Sequence, residues 1–335
     1  MHPLEKMDYS LLSFWFNEAK YHPANPWALD VHQELIRPHY DSDKNPVPTL
    51  VILAGGEQAG KSYLGGHHIF AAHPWGKIFW IVGARYEDCR REFEYLTDAS
   101  IRCGVMDESN ISFPAGAQPC RAVFSNGARV RTLSSDDATT LASESPDGIL
   151  MVEAGRQSFQ AFRTLWTRAH HNLAWFLVSG TFESTKGRWF PNLWKEGLGD
   201  NEYQGKAFSL PSYANPEKYV GGANDPKILA LKKTLSEEEF AERILGMARP
   251  TLGVVFPEFR RTSHVKTYAD YDSNFPVRLW VDPGFNPSSY AVLWVQIINA
   301  QVRIFKEIYV QNLVNEQVVD IYKNNDVVKD LVDKA

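Results

Sequence analysis

The sequence predicts an α/β fold: a mainly parallel sheet with helices on both faces, built around a phosphate-binding loop. Three observations predict it. Four continuous apolar runs, "TLVILAG" (49–55), "KIFWIVGA" (77–84), "GILMVEAG" (148–155) and "WFLVSGT" (175–181), suit strands buried on both faces. Helical stretches separate them, and alternation of strand and helix builds parallel sheets. The first run leads directly into "GGEQAGKS", where Gly55, Gly60, Lys61 and Ser62 keep the spacing G-x-x-x-x-G-K-[ST] of a P-loop NTPase.

Taken in chain order, "LLSFWF" (11–16) is too short and too acidic at its front for a signal peptide, and reads as an amphipathic helix packed on the body. Residues 21–48 are rich in proline and histidine, with "LDVHQELI" a short helix between breaks. A helix is expected from about Ser62 to Ala72, and another over "YEDCRREFEYL". "CRAVFSNGARVRTLSS" reads as a hairpin turning at Asn126-Gly127. "SLPSYANPEKYVGGANDP" (209–226) reads as loop, and "SEEEFAERILGMA" as a helix opened by a capping box of Ser236 and Glu239. From residue 276 three antiparallel strands are expected, with turns near 286–289 and 299–301. The regions so defined are 1–48, an N-terminal helical region on the adenine side; 49–255, the P-loop domain with its linker; and 256–335, a C-terminal domain.

A length of 335 residues fits about two domains. Apolar residues make up 44% and charged residues 22%, which suits cored globular domains and argues against disorder. The net charge of −5 excludes a globally basic protein, although a local basic surface suffices for nucleic acid. Cys89, Cys103 and Cys120 form no C-x-x-C pair, so a reduced, cytoplasmic protein is expected. No apolar stretch reaches the ~20 residues of a membrane span.

The chemistry follows from the loop. Glycines let backbone N–H groups turn toward phosphate oxygens, so Gly55, Gly56, Glu57, Gln58, Ala59 and Gly60 form the cradle. Lys61 is expected on the β- and γ-phosphates and Ser62 on Mg²⁺. Hydrolysis also needs an acid at the end of a neighbouring strand, and Glu153 ends "ILMV". Ser179, Gly180 and Thr181 end the next strand, where small hydroxyls are placed to sense the γ-phosphate.

The order of "GGEQAGKS", "IFWIVGARYEDCRREFEYL", "GILMVEAG", "LVSGT", "FSLPSYANP", "GVVFPEF" and "RLWVDPGFNPSSYAVLWV" resembles the large terminase subunit of tailed bacteriophages. That resemblance implies an ATP-driven motor moving double-stranded DNA into a procapsid, followed by an RNase H-like endonuclease that cuts concatemers. It implies ATP and Mg²⁺ at the first site and Mg²⁺ or Mn²⁺ at the second. It implies a portal protein and a small terminase subunit as partners, a homo-oligomeric ring, and work in the host cytoplasm, docked on the procapsid. By position, Gln33 becomes the adenine-contacting glutamine, Ser179 to Thr181 the coupling motif, and Arg129 and Arg131 candidates for an arginine acting in a ring neighbour. Asp282 becomes a nuclease carboxylate and metal ligand.

Three departures stand out. Val152 occupies the place of the family's aspartate before Glu153, Glu57 stands where a basic residue is common, and no arginine occurs in "TTLASESPDG". Asp320, Asp326, Asp330 and Asp333 read as a solvated helix face, so the nuclease is expected to be incomplete: the favoured reading is a fragment of a longer protein, the alternative a nuclease defective as it stands. Basic pairs that offer DNA contacts are Arg90-Arg91, Lys232-Lys233 and Arg260-Arg261. The competing reading is another P-loop DNA-dependent ATPase, helicase-like or an ATP-switched nuclease; a small-molecule kinase would need neither Glu153 nor the strand bearing Asp282.

Overall fold

The computed structural model describes residues 2–137, 141, 144–182, 189–199, 203–248, 271–283, 290–310 and 315–323. Arg260, Arg261, Asp326, Asp330, Asp333 and the expected turn at 286–289 lie outside the described residues. The chain divides into two compact units, Met1–Leu252 and Gly253–Ala335.

The first unit is built on one eight-stranded sheet: β1 (Thr49–Gly55), β2 (Ile78–Gly83), β3 (Ile111–Ser112), β4 (Arg121–Val123), β5 (Arg129–Ser134), β6 (Gly148–Met151), β7 (Trp175–Gly180) and β8 (Lys206–Leu210). Their order is β8-β1-β7-β6-β2-β5-β4-β3. The six strands from β8 to β5 run parallel, and β4 and β3 close the edge antiparallel. The hairpin turn of β4 and β5 falls at Gly127, whose φ of 85° needs a residue without a Cβ.

All seven residues of β1 are buried, and they alternate between two cores. Val51 and Leu53 face α1 (Tyr9–Glu18), α2 (Ala28–Leu35), α3 (Lys61–Ala72) and α4 (Arg90–Arg102), packing with Leu12, Phe16, Leu35, Leu64, Phe93 and Leu96. Leu50, Ile52 and Ala54 share the opposite core with Phe162 and Leu165 of α5 (Phe159–Asn172) and with Phe190 and Leu193 of α6 (Trp189–Glu196). Two-sided burial is why the strand reads as one apolar run rather than an alternation. Among the described residues, no helix is long and apolar enough to cross a membrane.

Strand β8 corrects the reading of 209–226 as loop from its first residue. Lys206–Leu210 pair in parallel with β1, with Phe208 opposite Leu53. Only Leu210 of the five is fully buried, so this short edge strand is defined by its backbone hydrogen bonds and carries little periodicity. The capping box at Ser236 and Glu239 is present, with Glu239 N–H donating to Ser236 Oγ (3.1 Å) and Ser236 N–H to Glu239 Oε2 (3.0 Å). The helix it opens runs only over Glu237–Phe240, then widens into a π-turn over Ala241–Leu245 that ends at Gly246, φ 65°.

The N-terminal segment is locked to α3 by a buried histidine cluster. Tyr21 OH lies 2.9 Å from His32 Nε2, and His32 Nδ1 lies 3.0 Å from His68 Nδ1. Two Nδ1 atoms can bond only if one carries a proton and the other accepts it, so at least one of the two rings is neutral and protonation of both breaks the pair. Burial pushes His67 down to about 4 and His68 down to about 3. Burial alone would raise Glu34, but hydrogen bonds from His39 and Lys206, with the charges of Lys206 and Arg37, bring it down to about 2. All three groups have folded pKa values below their ordinary ones, so their stabilisation is complete above about pH 6.5. The histidine part is lost as pH falls from 6.5 toward 3, and the Glu34 part as it falls from 4.5 toward 2. The melting temperature should therefore be level above neutrality and fall steadily below it. His67→Phe keeps the ring against Tyr21 and should remove on the order of 1–3 kcal/mol of that acid dependence, read from denaturant midpoints at pH 7.5 and pH 5.

The second unit contains an antiparallel sheet of β9 (Arg278–Asp282), β10 (Tyr290–Ile298) and β11 (Gln301–Val310), in that order. The expected turn near 299–301 is a two-residue hairpin, with Asn299 and Ala300 both at positive φ (53° and 60°). Its core gathers Val292, Trp294 and Ile308, and all five residues of β9 are exposed. A helix follows over Asn315–Lys323, on which Asp320 is exposed.

Candidate nucleotide site

The loop after β1 enters α3 through Gly60, whose φ of 92° only glycine adopts cheaply. No side chain caps α3, and a helix N-terminus concentrates positive potential there. The carbonyls of Glu57 and Gln58 are held from outside the loop: Ser212 Oγ donates to Glu57 O (2.6 Å) and Asn215 Nδ2 to Gln58 O (2.7 Å). Tying carbonyls away is what an anion cradle needs, since a carbonyl oxygen repels phosphate. The loop is also closely covered. A Cβ on Gly56 would lie 2.3 Å from Ser212 Oγ and 2.4 Å from Ile244 O, and one on Gly60 would lie 2.7 Å from Ala24 Cβ. Asn25 Nδ2 in turn donates to Pro211 O (2.9 Å), joining the covering segments. Half-buried Lys61 reaches along the loop, its Nζ donating to Gly55 O and Gly56 O at 3.1 Å each.

Glu57, the acid out of place in a phosphate loop, is paired. Arg243 Nε and Nη2 donate to its Oε1 at 2.8 and 2.6 Å, and Glu57 N–H donates to Arg243 O (2.8 Å). The π-turn therefore grips the loop through backbone and side chain together. Arg243 and Glu57 are 41% and 44% exposed, so the side-chain pair contributes only about 0.2–1 kcal/mol. A double-mutant cycle of Glu57→Gln and Arg243→Gln should give a stability coupling in that range, while either single change loosens the loop and weakens nucleotide binding more than it lowers stability.

Glu153 stands two residues beyond the end of β6, two strands from the loop. It is half-buried and left-handed (φ 48°, ψ 48°), at the head of a turn over Ala154–Arg156. A non-glycine residue there costs about 1–3 kcal/mol, strain that persists only where its surroundings impose it. Two neighbours impose it. The buried Gln157 side chain donates from Nε2 to Val152 O (2.6 Å) and Val82 O (3.0 Å), lacing the ends of β6 and β2 below the turn. Gly180, at the end of β7, backs onto the turn so closely that a Cβ would lie 2.9 Å from Ala154 N. Ser179 is buried beside it and Thr181 half-buried. The expected coupling strand thus touches the turn that carries the acid.

Sequence reading missed Glu92. It lies on α4 among charged neighbours in "RREFEYL", yet it is 5% exposed and stands near Ser62. Burial pushes its carboxyl up to about 7; the Glu153 charge adds to the rise, and Ser62 and Lys61 oppose it. Its Oε2 has no hydrogen-bond partner. The signal was present, since Glu92, Leu96 and Ala99 fall on one helix face and the last two are core. For Mg²⁺, the Ser62 hydroxyl and this unpaired carboxylate oxygen form a hard oxygen set of the right chemistry.

Other expected residues lie elsewhere. Gln33 is exposed on α2. Arg129 and Arg131 both reach Glu144 of their own chain, at 3.7 and 3.5 Å. Arg129 pairs with Ile78, at the start of β2, whereas the loop and Glu153 stand at the ends of their strands. Asp282 is exposed at the end of β9, opposite Ala291. Among the described residues, no group of three or more His, Cys, Asp or Glu gathers to hold a metal.

A glycine loop after one parallel strand and an acid after the strand two places away stand at the carboxyl ends of the strands, where open parallel sheets bind their ligands. Solved structures narrow the fold. The large terminase ATPase domain of Thermus phage P74-26 matches with a TM-score of 0.51 at 14% identity, over 70% of this chain and 97% of that one. The large terminase of a thermophilic bacteriophage matches with a TM-score of 0.51 at 13% identity, over 90% and 73%. Its complex with ADP matches with a TM-score of 0.50 at 13% identity, over 89% and 73%. No protein-family model and no curated protein matches the chain. At such identities the likeness is one of fold: the chain has the fold of a large terminase ATPase domain.

Proposed function

We propose that the chain is the ATP-hydrolysing motor of a phage large terminase, drawing double-stranded DNA into a procapsid. The observation that carries this is the contact of Gly180 with the Glu153 turn, which joins the acid to the next strand at the mouth of the loop. In this reading Gly55 to Gly60 orient amides on the phosphates of ATP, and Lys61 holds the β- and γ-phosphate oxygens. Glu153 accepts the proton of the attacking water. Mg²⁺, when bound, neutralises phosphate charge, with Ser62 among its ligands. After cleavage, β7 relays the change at Ser179 to Thr181 to the rest of the chain. Gln33 on the adenine side and Arg129 or Arg131 acting on a ring neighbour complete the proposed set. The ADP complex among the matching structures supports a nucleotide here.

The DNA contacts are proposed to be with phosphates, hence independent of sequence and steeply weakened by salt. Exposed Arg91, Lys232 and Lys233 are available for them, whereas Arg90 is spent on Pro114 O (2.8 Å) and the Phe113 ring. The second unit is proposed as part of an RNase H-like nuclease with Asp282 as one ligand to Mg²⁺ or Mn²⁺, and the partners as a portal protein, a small terminase subunit and further copies in a ring, in the host cytoplasm.

A translocation assay separates the readings. Moving along intact duplex, the protein should displace a third strand from a triplex in an ATP-dependent manner, with no unwinding. Unwinding of the duplex would favour the helicase-like alternative, and cutting without displacement the ATP-switched nuclease.

A further inference from the structure

We propose that Glu92 holds the Mg²⁺ of the bound nucleotide through metal-bound water, doing from α4 the work that Val152 cannot do from the end of β6. The inference rests on the ATPase reading above and assigns a residue which that reading does not use.

Mg²⁺ keeps several of its waters in protein sites, and those waters need acceptors. Position 152, directly before the acid, offers none. Here it is a valine, 2% exposed, in the same core as Leu64 of α3 and Leu96 of α4. A branched alkyl group accepts nothing. On that same side of the sheet Glu92 stands near Ser62, and its buried Oε2 has no hydrogen-bond partner in the protein. A buried carboxylate oxygen without a donor costs free energy, so its retention asks for a donor that arrives later. A water on a divalent ion held by Ser62 would be such a donor, strongly polarised by the metal.

The helix packing explains how α4 delivers the group. Ser62 and Gly66 lie four residues apart on one face of α3. A Cβ on Gly66 would lie 2.5 Å from Glu92 O and 3.1 Å from Leu96 N. Glycine at 66 therefore lets the two backbones close at Glu92, one turn along from Ser62. Gly66 of "KSYLGG" is in this account what brings Glu92 up to α3, while Gly65 packs against Leu150.

Mn²⁺ serves as the probe, read by electron paramagnetic resonance on the full chain with saturating ADP. Glu92→Gln, the same size without the charge, should weaken Mn²⁺ retention by about 10–100-fold. ADP affinity in EDTA should be unchanged by the same substitution. Equal Mn²⁺ retention in Glu92→Gln and wild type would overturn the assignment. Loss of ADP binding in EDTA would also overturn it, making Glu92 a structural strut. A wild-type chain that binds no ADP contradicts the nucleotide reading instead, a separate failure.

Discussion

Glu153→Ala should bind ATP and fail to cleave it. General-base contributions are about 10²–10⁴ in rate, and removal of the carboxylate leaves no other described acid on the turn after β6. Glu92 does not replace it, because its carboxyl lies near Ser62 in the core between α3 and α4. The alanine also relieves little of the strain at φ 48°, which Gln157 and Gly180 impose from both sides. The folded structure should therefore survive, and single-turnover phosphate release, measured beside nucleotide binding, separates chemistry from affinity. Normal hydrolysis by this variant would remove Glu153 from the mechanism.

Gly56→Ala should lose both nucleotide binding and stability. Its Cβ would meet Ser212 Oγ at 2.3 Å, Ile244 O at 2.4 Å and Arg243 O at 2.9 Å, and two of these are backbone atoms that no rotamer can move. Nor can the loop back away, since Gly56 N–H donates to Leu210 O (2.9 Å) and Glu57 N–H to Arg243 O (2.8 Å). Overpacking of this kind costs about 1–3 kcal/mol, and here relief must come from lifting the π-turn off the loop. The midpoint of denaturant unfolding should fall accordingly. Gly199→Ala, where an added Cβ meets nothing within 4 Å, is the control and should stay within about 0.5 kcal/mol of wild type. A Gly56→Ala chain with unchanged midpoint and nucleotide affinity would mean that the segment 241–246 does not cover the loop as described.

Much of the architecture was legible because the strands that matter are buried on both faces. β1, β6 and β7 announce themselves as apolar runs, and Gly55 and Gly180 at the ends of β1 and β7, with Glu153 two residues past β6, come together at one end of the sheet for that reason. What stayed hidden has a common cause. β8 is an edge strand defined by pairing with β1 rather than by side-chain pattern. Arg243 meets Glu57 across 186 residues, and no local pattern encodes that distance. Glu92 was obscured by the charges around it, although its position on the apolar face of α4 marks it. Arg129 and Arg131 show the opposite limit: sequence order placed them before the acidic strand, but only the register with β2 shows where along the sheet they emerge, and their ion pairs to Glu144 were not foreseeable.

The Glu57 question has a similar answer. An acid in a phosphate cradle is unfavourable only if its charge faces the phosphates unopposed. Two hydrogen bonds from Arg243 offset it, and the same contact fastens the π-turn to the loop. The residue that fits the family resemblance least is thus one of the anchors that hold the loop in shape.

The central claim is that the loop from Gly55 to Ser62 binds the phosphates of ATP, and calorimetric titration with Mg·ATP tests it most directly. The account predicts one site per chain, with affinity reduced at least about tenfold by Lys61→Ala, the loss of one charge-assisted hydrogen-bonding group. Absence of binding in the wild-type chain, or equal affinity in Lys61→Ala, would contradict it.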